Sequence, residues 1–279
     1  MVAVLQMDLQ LEEFKMKLGF IGCGNMASAM IGGIIGNKIC SADQIIASDA
    51  YAKALEKAKE GLGINVTSDN KEIAQESDII FLSVKPQYYE AVIAEIKNFI
   101  QDTQIIVTIA PGKTLSWLSD TFGRRVKLVR CMPNTPALVG EGITGACHNE
   151  LVTKEELELV CSILSGFGKV EVLPENLMDV VVSVSGSSPA YVFMFIEAMA
   201  DAAVADGMPR AQAYKFAAQA VLGSAKLVLE TGKHPGELKD MVCSPGGTTI
   251  EAVSVLEKNG FRSAVIEAMR ACVKKAKGL

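Results

Sequence analysis

Leu18-Gly19-Phe20-Ile21-Gly22-Cys23-Gly24-Asn25-Met26-Ala27 is the stretch that decides the fold: an apolar strand, a glycine turn and the start of a helix. In a dinucleotide fingerprint of this form, Gly22 permits the tight turn, Gly24 leaves room for pyrophosphate beside the backbone, and Ala27 allows the helix to pack closely. Glycine turns between strands and helices are common, but the position in the first β-α-β unit favours a nucleotide site over a packing turn. We therefore predict a cofactor contact at Gly22, Gly24, Asn25, Met26 and Ala27.

Short strands alternate with helices along the first half of the chain, which predicts a mostly parallel sheet with crossover connections. The first strands are continuous apolar runs, as in sheets that are covered on both faces. The predicted helices include Ala50–Glu60, Tyr88–Phe99 and Lys154–Phe167. The predicted strands are Leu18–Ile21, Ile45–Ser48, Asn65–Thr67, Ile79–Val84, Ile105–Ile109, Lys127–Met132, Ile143–Cys147 and Val170–Val172.

After Val172 the strand pattern ends and the sequence reads as helices. We predict an α/β fold with a Rossmann dinucleotide-binding domain over residues 17–173 and an all-helical domain over residues 174–279. The helical half is rich in alanine, which permits close helix approach and is typical of an oligomer interface. The predicted helices are Leu177–Val184, Pro189–Asp206, Pro209–Glu230, Pro235–Val242, Thr248–Lys258 and Phe261–Lys277.

Composition excludes several classes of protein. The chain has 279 residues, 49% of them hydrophobic, and a net charge of −5 without a basic run, which argues against nucleic acid as a partner. Seven widely spaced cysteines without a Cys-x-x-Cys pair, and only two histidines, favour reduced thiols in the cytoplasm over disulfides or a metal. The acidic first fifteen residues do not resemble a secretory signal. The apolar run Val180–Ala200 contains serines, a proline and a glutamate, so we expect no membrane span there.

Asp49 closes the second strand, where an acidic residue hydrogen-bonds the ribose 2′-hydroxyl of NAD and repels the 2′-phosphate of NADP. It is equally consistent with a cap for the helix that follows. Ser48 could accept a phosphate, and Asn70 follows the third strand nearby. We predict cofactor contacts at Ser48, Asp49 and Asn70, while the choice between NADPH and NADH stays open.

Three further loops follow strands at the edge where ligands bind in an open parallel sheet. The amide of Asn134, between two prolines, could hold a nicotinamide or a substrate. The alternative for all three loops is ordinary strand-end turn chemistry. The predicted cofactor contacts in these loops are Val84, Lys85, Pro86, Ala110, Pro111, Gly112 and Asn134.

Two segments of the helical half carry substrate-binding character. Ser185-Gly186-Ser187-Ser188-Pro189-Ala190-Tyr191 has more small polar residues than one helix cap requires. Ser244-Pro245-Gly246-Gly247-Thr248-Thr249 forms a turn before a helix and directs N–H groups and hydroxyls at one spot, which suits a small carboxylate. We predict substrate contacts at Ser187, Gly246, Gly247, Thr248 and Thr249.

Taken together, these motifs resemble pyrroline-5-carboxylate reductase. The likeness runs in order from about Leu18 to Ala276, and the last motif is diagnostic of that family. Two positions depart from its pattern: Ser188 replaces a usual glycine, and Asp49 replaces a neutral or basic residue. The segments that carry the resemblance are Phe20 to Ala27, Ser83 to Gln87, Arg130 to Pro136, Ser185 to Tyr191, Ser244 to Thr249 and Gly260 to Arg262.

The resemblance implies reduction of Δ1-pyrroline-5-carboxylate to L-proline with NADPH, or with NADH, the last step of proline synthesis. It also implies a helical dimerisation domain, with homodimers that often assemble into decamers. By the family's pattern, Gly247 and Thr248 offer backbone N–H groups to the substrate carboxylate. Thr249 is the catalytic residue, placing its hydroxyl by the ring nitrogen, and because threonine is a poor acid we assign it orientation rather than proton supply.

Two alternatives remain at this stage. A β-hydroxyacid dehydrogenase has a similar layout, but it needs a catalytic lysine on the helix after the serine-rich loop, and Ala190 to Ala205 contains none. A dinucleotide-binding protein that has lost catalysis would keep the fold. Gly246, Gly247 and Thr249 together argue against such a degenerate site.

Overall fold

The computed structural model describes residues 16–278 and contains, within that range, an eight-stranded sheet. The spatial order is β3-β2-β1-β4-β5-β6-β7-β8. The strands are β1 Leu18–Ile21, β2 Ile45–Ser48, β3 Asn65–Thr67, β4 Ile79–Leu82, β5 Ile105–Thr108, β6 Lys127–Met132, β7 Gly142–His148 and β8 Gly168–Val172.

Crossover helices connect the strands, and further helices follow β8. They are α1 Asn25–Gly36, α2 Ala52–Leu62, α3 Asn70–Glu76, α4 Tyr89–Ile96, α5 Leu115–Phe122, α6 Lys154–Leu164, α7 Met178–Val181, α8 Ser188–Ala205, α9 Arg210–Thr231, α10 Pro235–Val242, α11 Thr248–Lys258 and α12 Phe261–Ala276.

Strands β1 to β6 are mutually parallel, which confirms the doubly wound α/β architecture predicted from the alternating pattern. The chain places β2 and β3 on one side of β1, and β4 on the other. The strand order therefore reverses between β1 and β4, and the carboxyl ends of these two strands form the switch point at which such sheets bind ligands. These strand ends are called the switch-point edge below. One part of the sheet differs from the simplest parallel arrangement, because β7 is antiparallel to β6 and β8 is parallel to β7.

Both faces of the sheet are covered, which explains the uninterrupted apolar strands. Leu18 and Phe20 of β1 pack into the cluster on one face, where Phe20 stacks on Phe81 at 4.5 Å between ring centroids. Ile21 packs into the cluster on the other face, beside the buried Tyr89. The helices carry ordinary end signals, such as the Thr153–Glu156 capping box that starts α6.

Several element ends differ from the sequence prediction by two or three residues. β4 ends at Leu82 rather than Val84, and α2 begins at Ala52 rather than Ala50. The second difference has a local cause, since the Asp49 carboxylate accepts the Tyr51 N–H and delays the helix. Thr248–Lys258 and Pro235–Val242 have the predicted bounds, where a glycine turn and a proline mark the helix starts.

Contacts within the chain group it into two compact units. One comprises the residues up to Gly186 together with those from Val273, and the other is Ser187–Cys272. Residues 174–186 are kept in the first unit by side-chain bonds to the sheet, which are described below. The domain boundary at 173/174 remains a prediction from the end of the strand pattern.

The second unit is entirely helical among the residues described. Close approach of α8 and α9 buries Ala200, Ala213 and Ala217, as small side chains permit. By length and composition alone, the run Glu175–Ala205 is apolar enough to cross a membrane. Its backbone, however, passes from α7 through a π turn at residues 182–186 before α8 begins.

Candidate active site

Gly22 and Gly24 differ in their surroundings, and only Gly22 is required by the backbone. Gly22 has a φ of +105°, and a Cβ there would lie 2.9 Å from the backbone carbon of Ser83, at the end of β4. At Gly24 a Cβ would meet nothing within 4 Å. The first glycine therefore allows the turn to press against β4, and the second leaves open space beside the backbone. This is the division of roles predicted from the fingerprint.

The N-terminus of α1 faces the same open space. Gly24 is its N-cap residue, and no described side chain caps the helix. The first N–H groups of an α-helix have no partner within the helix, and they carry the positive end of its dipole. The segment Gly24 to Ala27 is therefore suited to bind a pyrophosphate.

Asp49 does not cap the following helix, whose N-cap residue is Tyr51, and its ribose contact remains a prediction. Its Oδ1 accepts the Tyr51 N–H at 2.9 Å, and its Oδ2 accepts the Cys23 N–H at 2.8 Å. One carboxylate thus joins the end of β2 to the glycine turn after β1. Its negative charge also lies at the strand end where the ribose of a dinucleotide binds.

Ser48 is the last residue of β2, as predicted, and its hydroxyl makes a hydrogen bond within the protein. It is fully buried, and its hydroxyl donates to Asn70 Oδ1 at 2.6 Å. The Asn70 amide in turn donates to Glu95 at 2.8 Å. The Ser48 hydroxyl thus secures Asn70, which is the more accessible of the two, and the phosphate contact of Ser48 remains a prediction.

The loops after β4 and β5 both reach the switch-point edge. Val84, Lys85 and Pro86 follow β4, and Pro86 begins a single 3₁₀ turn. Ala110, Pro111 and Gly112 follow β5, and Gly112 has a φ of +73°. Their nucleotide contacts remain predictions.

A residue that sequence analysis missed supports both loops. The buried Tyr89 donates its hydroxyl to Leu82 O at 2.6 Å and lies 2.8 Å from Thr108 Oγ1. These atoms belong to the last residues of β4 and β5. Burial raises the pKa of Tyr89 to about 12, so the phenol stays protonated and able to donate.

Asn134 is also committed to backbone partners. Its Oδ1 accepts the Ile143 N–H at 2.9 Å, and its Nδ2 donates to Ser185 O at 3.1 Å. The side chain is nearly buried. The nicotinamide or substrate contact predicted for Asn134 is untested, and the observed bonds give it the separate role of holding the segment before α8 against the β7 edge.

Arg130 forms the other connection that the sequence did not reveal. It is 3% exposed, and its guanidinium pairs with Glu175 at 3.0 Å and Asp179 at 3.5 Å. Glu175 also accepts the Leu115 N–H at 2.7 Å. Glu175 and Asp179 thereby anchor their segment to β6. This is why residues 175–186 belong to the first unit.

The residues of the first unit fit a dinucleotide. Ser83 provides an independent observation, because its hydroxyl is buried beside Gly22 without a hydrogen-bond partner in the described chain. Such orphaned buried hydroxyls are rare, that of Ser77 being the other among the described residues, and a bound polar group is one explanation. With the open space at Gly24 and the uncapped helix, it marks this edge as the position for a polar cofactor.

In the second unit, Ser244–Gly247 forms a tight turn directly before α11. Gly246 has a φ of +66°, which glycine adopts without strain, and Pro245 precedes it as in a type II turn. The Gly247 N–H donates to Ser244 O at 3.0 Å and closes the turn. The expectation that this N–H binds the substrate carboxylate is therefore corrected.

The N–H groups left without partners begin one residue further along the chain. Gly247 is the N-cap residue of α11, and no described side chain caps that helix. Thr248 and Thr249 are its first two residues, so their N–H groups lack partners within the helix and point out of its positive end. Thr249 is half-buried and Thr248 is exposed. This N-terminus with two hydroxyls suits a small carboxylate that carries a hydrogen-bonding ring.

The cysteines of the described chain are neither clustered nor activated. No group of three or more potential metal ligands occurs among the described residues, and the cysteines are free thiols. Burial, with a smaller effect of the Asp49 carboxylate, raises the pKa of the Cys23 thiol to about 12. Burial likewise raises the pKa of Cys147 to about 11. Such thiols remain protonated and unreactive near neutral pH.

Comparison with known proteins agrees with both halves of this description. The family model for pyrroline-5-carboxylate reductase dimerisation matches residues 175–279. A second model, NADP oxidoreductase coenzyme F420-dependent, matches residues 17–112.

Relatives with the same name match nearly the whole chain. The pyrroline-5-carboxylate reductase of Escherichia coli (strain K12) is 55% identical over 263 residues, covering 94% of this chain and 98% of the relative. The solved structure of the Coxiella burnetii enzyme has a TM-score of 0.88 at 35% identity, covering 95% of this chain and 98% of that one. That of the Plasmodium falciparum enzyme, with NADP bound, has a TM-score of 0.87 at 33% identity, covering 94% and 97%.

Because the likeness to the E. coli relative spans 94% of this chain, it includes the nucleotide-binding and the helical halves together. The chain belongs to the pyrroline-5-carboxylate reductase family.

Proposed function

We propose that this chain reduces Δ1-pyrroline-5-carboxylate to L-proline with NADPH, or with NADH. The observation that carries the proposal is the pair of uncapped helix N-termini, one after Gly24 and one after Gly247. The first suits a pyrophosphate and the second a small carboxylate. The Plasmodium relative with NADP bound supports the choice of nucleotide.

We assign nucleotide binding to the edge of the sheet at β1, β2, β4 and β5. Gly22, Gly24 and the first turn of α1 would hold the pyrophosphate, and Asp49 and Asn70 would lie at the ribose. The bound nucleotide supplies the hydride for the imine carbon. The loops after β4 and β5 would exclude water and fix the position of the nucleotide.

In the second unit, the Thr248 and Thr249 N–H groups would bind the substrate carboxylate. The Thr249 hydroxyl would hydrogen-bond the ring nitrogen, which becomes more basic as the C=N bond is reduced. Because a threonine hydroxyl is a poor acid, the proton that completes the amine comes from the iminium form of the substrate or from water. Thr249 thus orients the ring and stabilises the transition state.

The test is oxidation of NADPH by the purified chain with pyrroline-5-carboxylate, with proline identified by amino-acid analysis. We expect stoichiometric proline formation. The same assay in reverse with a β-hydroxyacid and NADP⁺ should show no turnover. If the chain binds nucleotide but reduces no imine with either cofactor, the proposed function is wrong and the non-catalytic alternative stands.

We expect Thr249→Ala to lower kcat by about 10- to 100-fold, the scale of one lost transition-state hydrogen bond. Thr249→Ser keeps the hydroxyl and should retain most activity, whereas Thr249→Val keeps the shape and should resemble alanine. Circular dichroism checks that each variant is folded. An active Thr249→Val enzyme would remove the hydroxyl from the mechanism.

We also propose that the chain is a cytoplasmic homodimer, which can assemble further into a decamer, with 174–279 as the dimerising domain. The free cysteines fit a reducing compartment. The match of the dimerisation family model to residues 175–279 supports the helical half as the interface.

A further inference from the structure

The thiol of Cys272 lies against the serine of the predicted substrate loop. Its Sγ is 3.2 Å from Ser187 Oγ, a short contact for a hydrogen bond that involves sulfur, although the two residues are 85 positions apart. Ser187 is where the chain enters the helical unit, and Cys272 is where it leaves. The two ends of that unit are thus joined by one side-chain bond.

The Ser187 hydroxyl is free to make this bond because it does not cap the helix. Ser187 precedes α8 in the N-cap position, but its backbone is helical, with φ −98° and ψ −27°, and its side chain accepts no cap bond. A serine before a helix normally uses its hydroxyl for the N–H groups of the first turn. Here the hydroxyl turns away from the helix and meets the thiol.

Tyr191, one turn along α8, completes the cluster. Burial raises the pKa of its phenol, the Cys272 side chain adds to that effect, and the Ser187 hydroxyl opposes it. Both side chains are therefore close to the phenol oxygen. Three groups that can donate and accept hydrogen bonds fix one another, and all three are only half-buried.

We propose that Cys272 is a positioning residue for substrate binding, which holds the Ser187 hydroxyl in the orientation that receives the carboxylate-bearing ring. A serine hydroxyl rotates freely unless a neighbour fixes it. Fixing it before the substrate arrives lowers the entropic cost of binding. Loss of this contact should therefore raise the KM for the imine and leave the KM for the nucleotide unchanged. The inference rests on the proposed function, because it assigns a role within that substrate site.

The experiment is a double-mutant cycle on the purified full chain, with kcat and KM measured separately for pyrroline-5-carboxylate and NADPH. Cys272→Ala should raise the KM for pyrroline-5-carboxylate about 3- to 10-fold, equivalent to the loss of one neutral hydrogen bond. The KM for NADPH should not change. Cys272→Ser keeps a hydrogen-bonding group and should restore most of the affinity.

The cycle separates positioning from structural damage. Ser187→Ala should raise the same KM, and adding Cys272→Ala to it should have no further effect. Cys161→Ala, in α6, is the matched control for loss of a half-buried thiol and should leave both KM values unchanged. Thermal unfolding of every variant checks the fold.

Independent, additive effects of the two substitutions would overturn the positioning role, as would an unchanged KM in Cys272→Ala. Equal losses for NADPH and the imine would do the same, because they would indicate general distortion. All these readings require an active wild-type enzyme. A wild-type chain without imine reduction would instead contradict the proposed function.

Discussion

At the residue scale, Asp49 joins the end of β2 to the glycine turn. Its two carboxylate oxygens accept backbone N–H groups from Cys23 and Tyr51. We propose that the same charge meets the ribose of the nucleotide, where an acidic residue at this strand end opposes a 2′-phosphate. Geometry and charge can be separated by substitution, because asparagine retains an acceptor oxygen but no charge.

We expect Asp49→Ser to raise the ratio of kcat/KM for NADPH to that for NADH by about 3- to 10-fold, since a partly solvated charge interaction is worth about 1 kcal/mol. Asp49→Asn should give a similar ratio if charge is the cause. Steady-state kinetics with both nucleotides measures the effect. If the ratio of kcat/KM for NADPH to that for NADH stays constant in both variants, the carboxylate serves only to hold the backbone of the glycine turn.

At the element scale, two buried side chains hold the loops of the site to the sheet. Tyr89 joins the ends of β4 and β5, and Arg130 on β6 binds the segment that leads towards α8. Neither was predicted as a site residue. A tyrosine and an arginine in apolar surroundings give no local sign of which backbone oxygen or carboxylate they will meet.

Replacing Arg130 with Met should lower the free energy of unfolding by about 2–4 kcal/mol. It leaves Glu175 and Asp179 without a cation, and breaking a buried pair from one side is costly. The carboxylates are 33% and 26% exposed, so solvent screens part of the loss. Urea unfolding measures the effect, with Arg125→Met as the control for loss of a nearby arginine. A change below about 1 kcal/mol would contradict this account.

Tyr89→Phe should cost about 1–2 kcal/mol near neutral pH, because Leu82 O loses a buried donor and the Thr108 hydroxyl loses its hydrogen-bond partner. Burial raises the pKa of Tyr89 in the native protein to about 12, whereas the unfolded value is about 10. The native state therefore binds the Tyr89 proton more tightly than the unfolded state does. The protonated phenol makes its full contribution to the free energy of unfolding below about pH 10, and this contribution is lost as the pH rises towards 12.

The difference in Tm between wild type and Tyr89→Phe should accordingly shrink between about pH 10 and about pH 12. Differential scanning calorimetry at several pH values measures it. Tyr51→Phe is the matched control, because Tyr51 is 75% exposed and should show no such difference. If the difference in Tm between wild type and Tyr89→Phe does not depend on pH, the stabilisation comes from packing alone.

At the scale of the whole molecule, the helical unit exposes several large apolar side chains. Phe193 and Met194 of α8, and Phe216 and Leu229 of α9, are each at least 60% exposed. Exposed apolar side chains gathered on one unit are typical of an interaction surface. A second copy of the chain is the partner implied by the dimerisation domain of the family.

We expect the wild-type chain to sediment as a dimer or a larger even-numbered assembly, and Phe216→Glu to shift it towards monomer by placing a charge in the interface. Lys215→Ala, at the neighbouring exposed position, is the control and should not alter the assembly. Analytical ultracentrifugation over a range of concentrations distinguishes them. A wild-type monomer at every concentration would contradict the proposed dimer.

The glycine turn, the alternation of strands and helices, and the turn before α11 were predictable because each depends on neighbours within a few residues. Gly22, Gly24 and Gly246 have the backbone freedom or open space that their local motifs require. The family followed from these motifs in order along the chain.

Only the tertiary structure decided what each polar side chain contacts. Ser48 is buried against Asn70, Asn134 bridges two backbone segments, and Arg130 pairs with acids more than 40 residues away. The antiparallel β7 and the Ser187–Cys272 bond are likewise long-range. A short-range pattern determines backbone conformation, whereas the partner of a side chain depends on which distant segments the sheet and helices bring within about 3 Å.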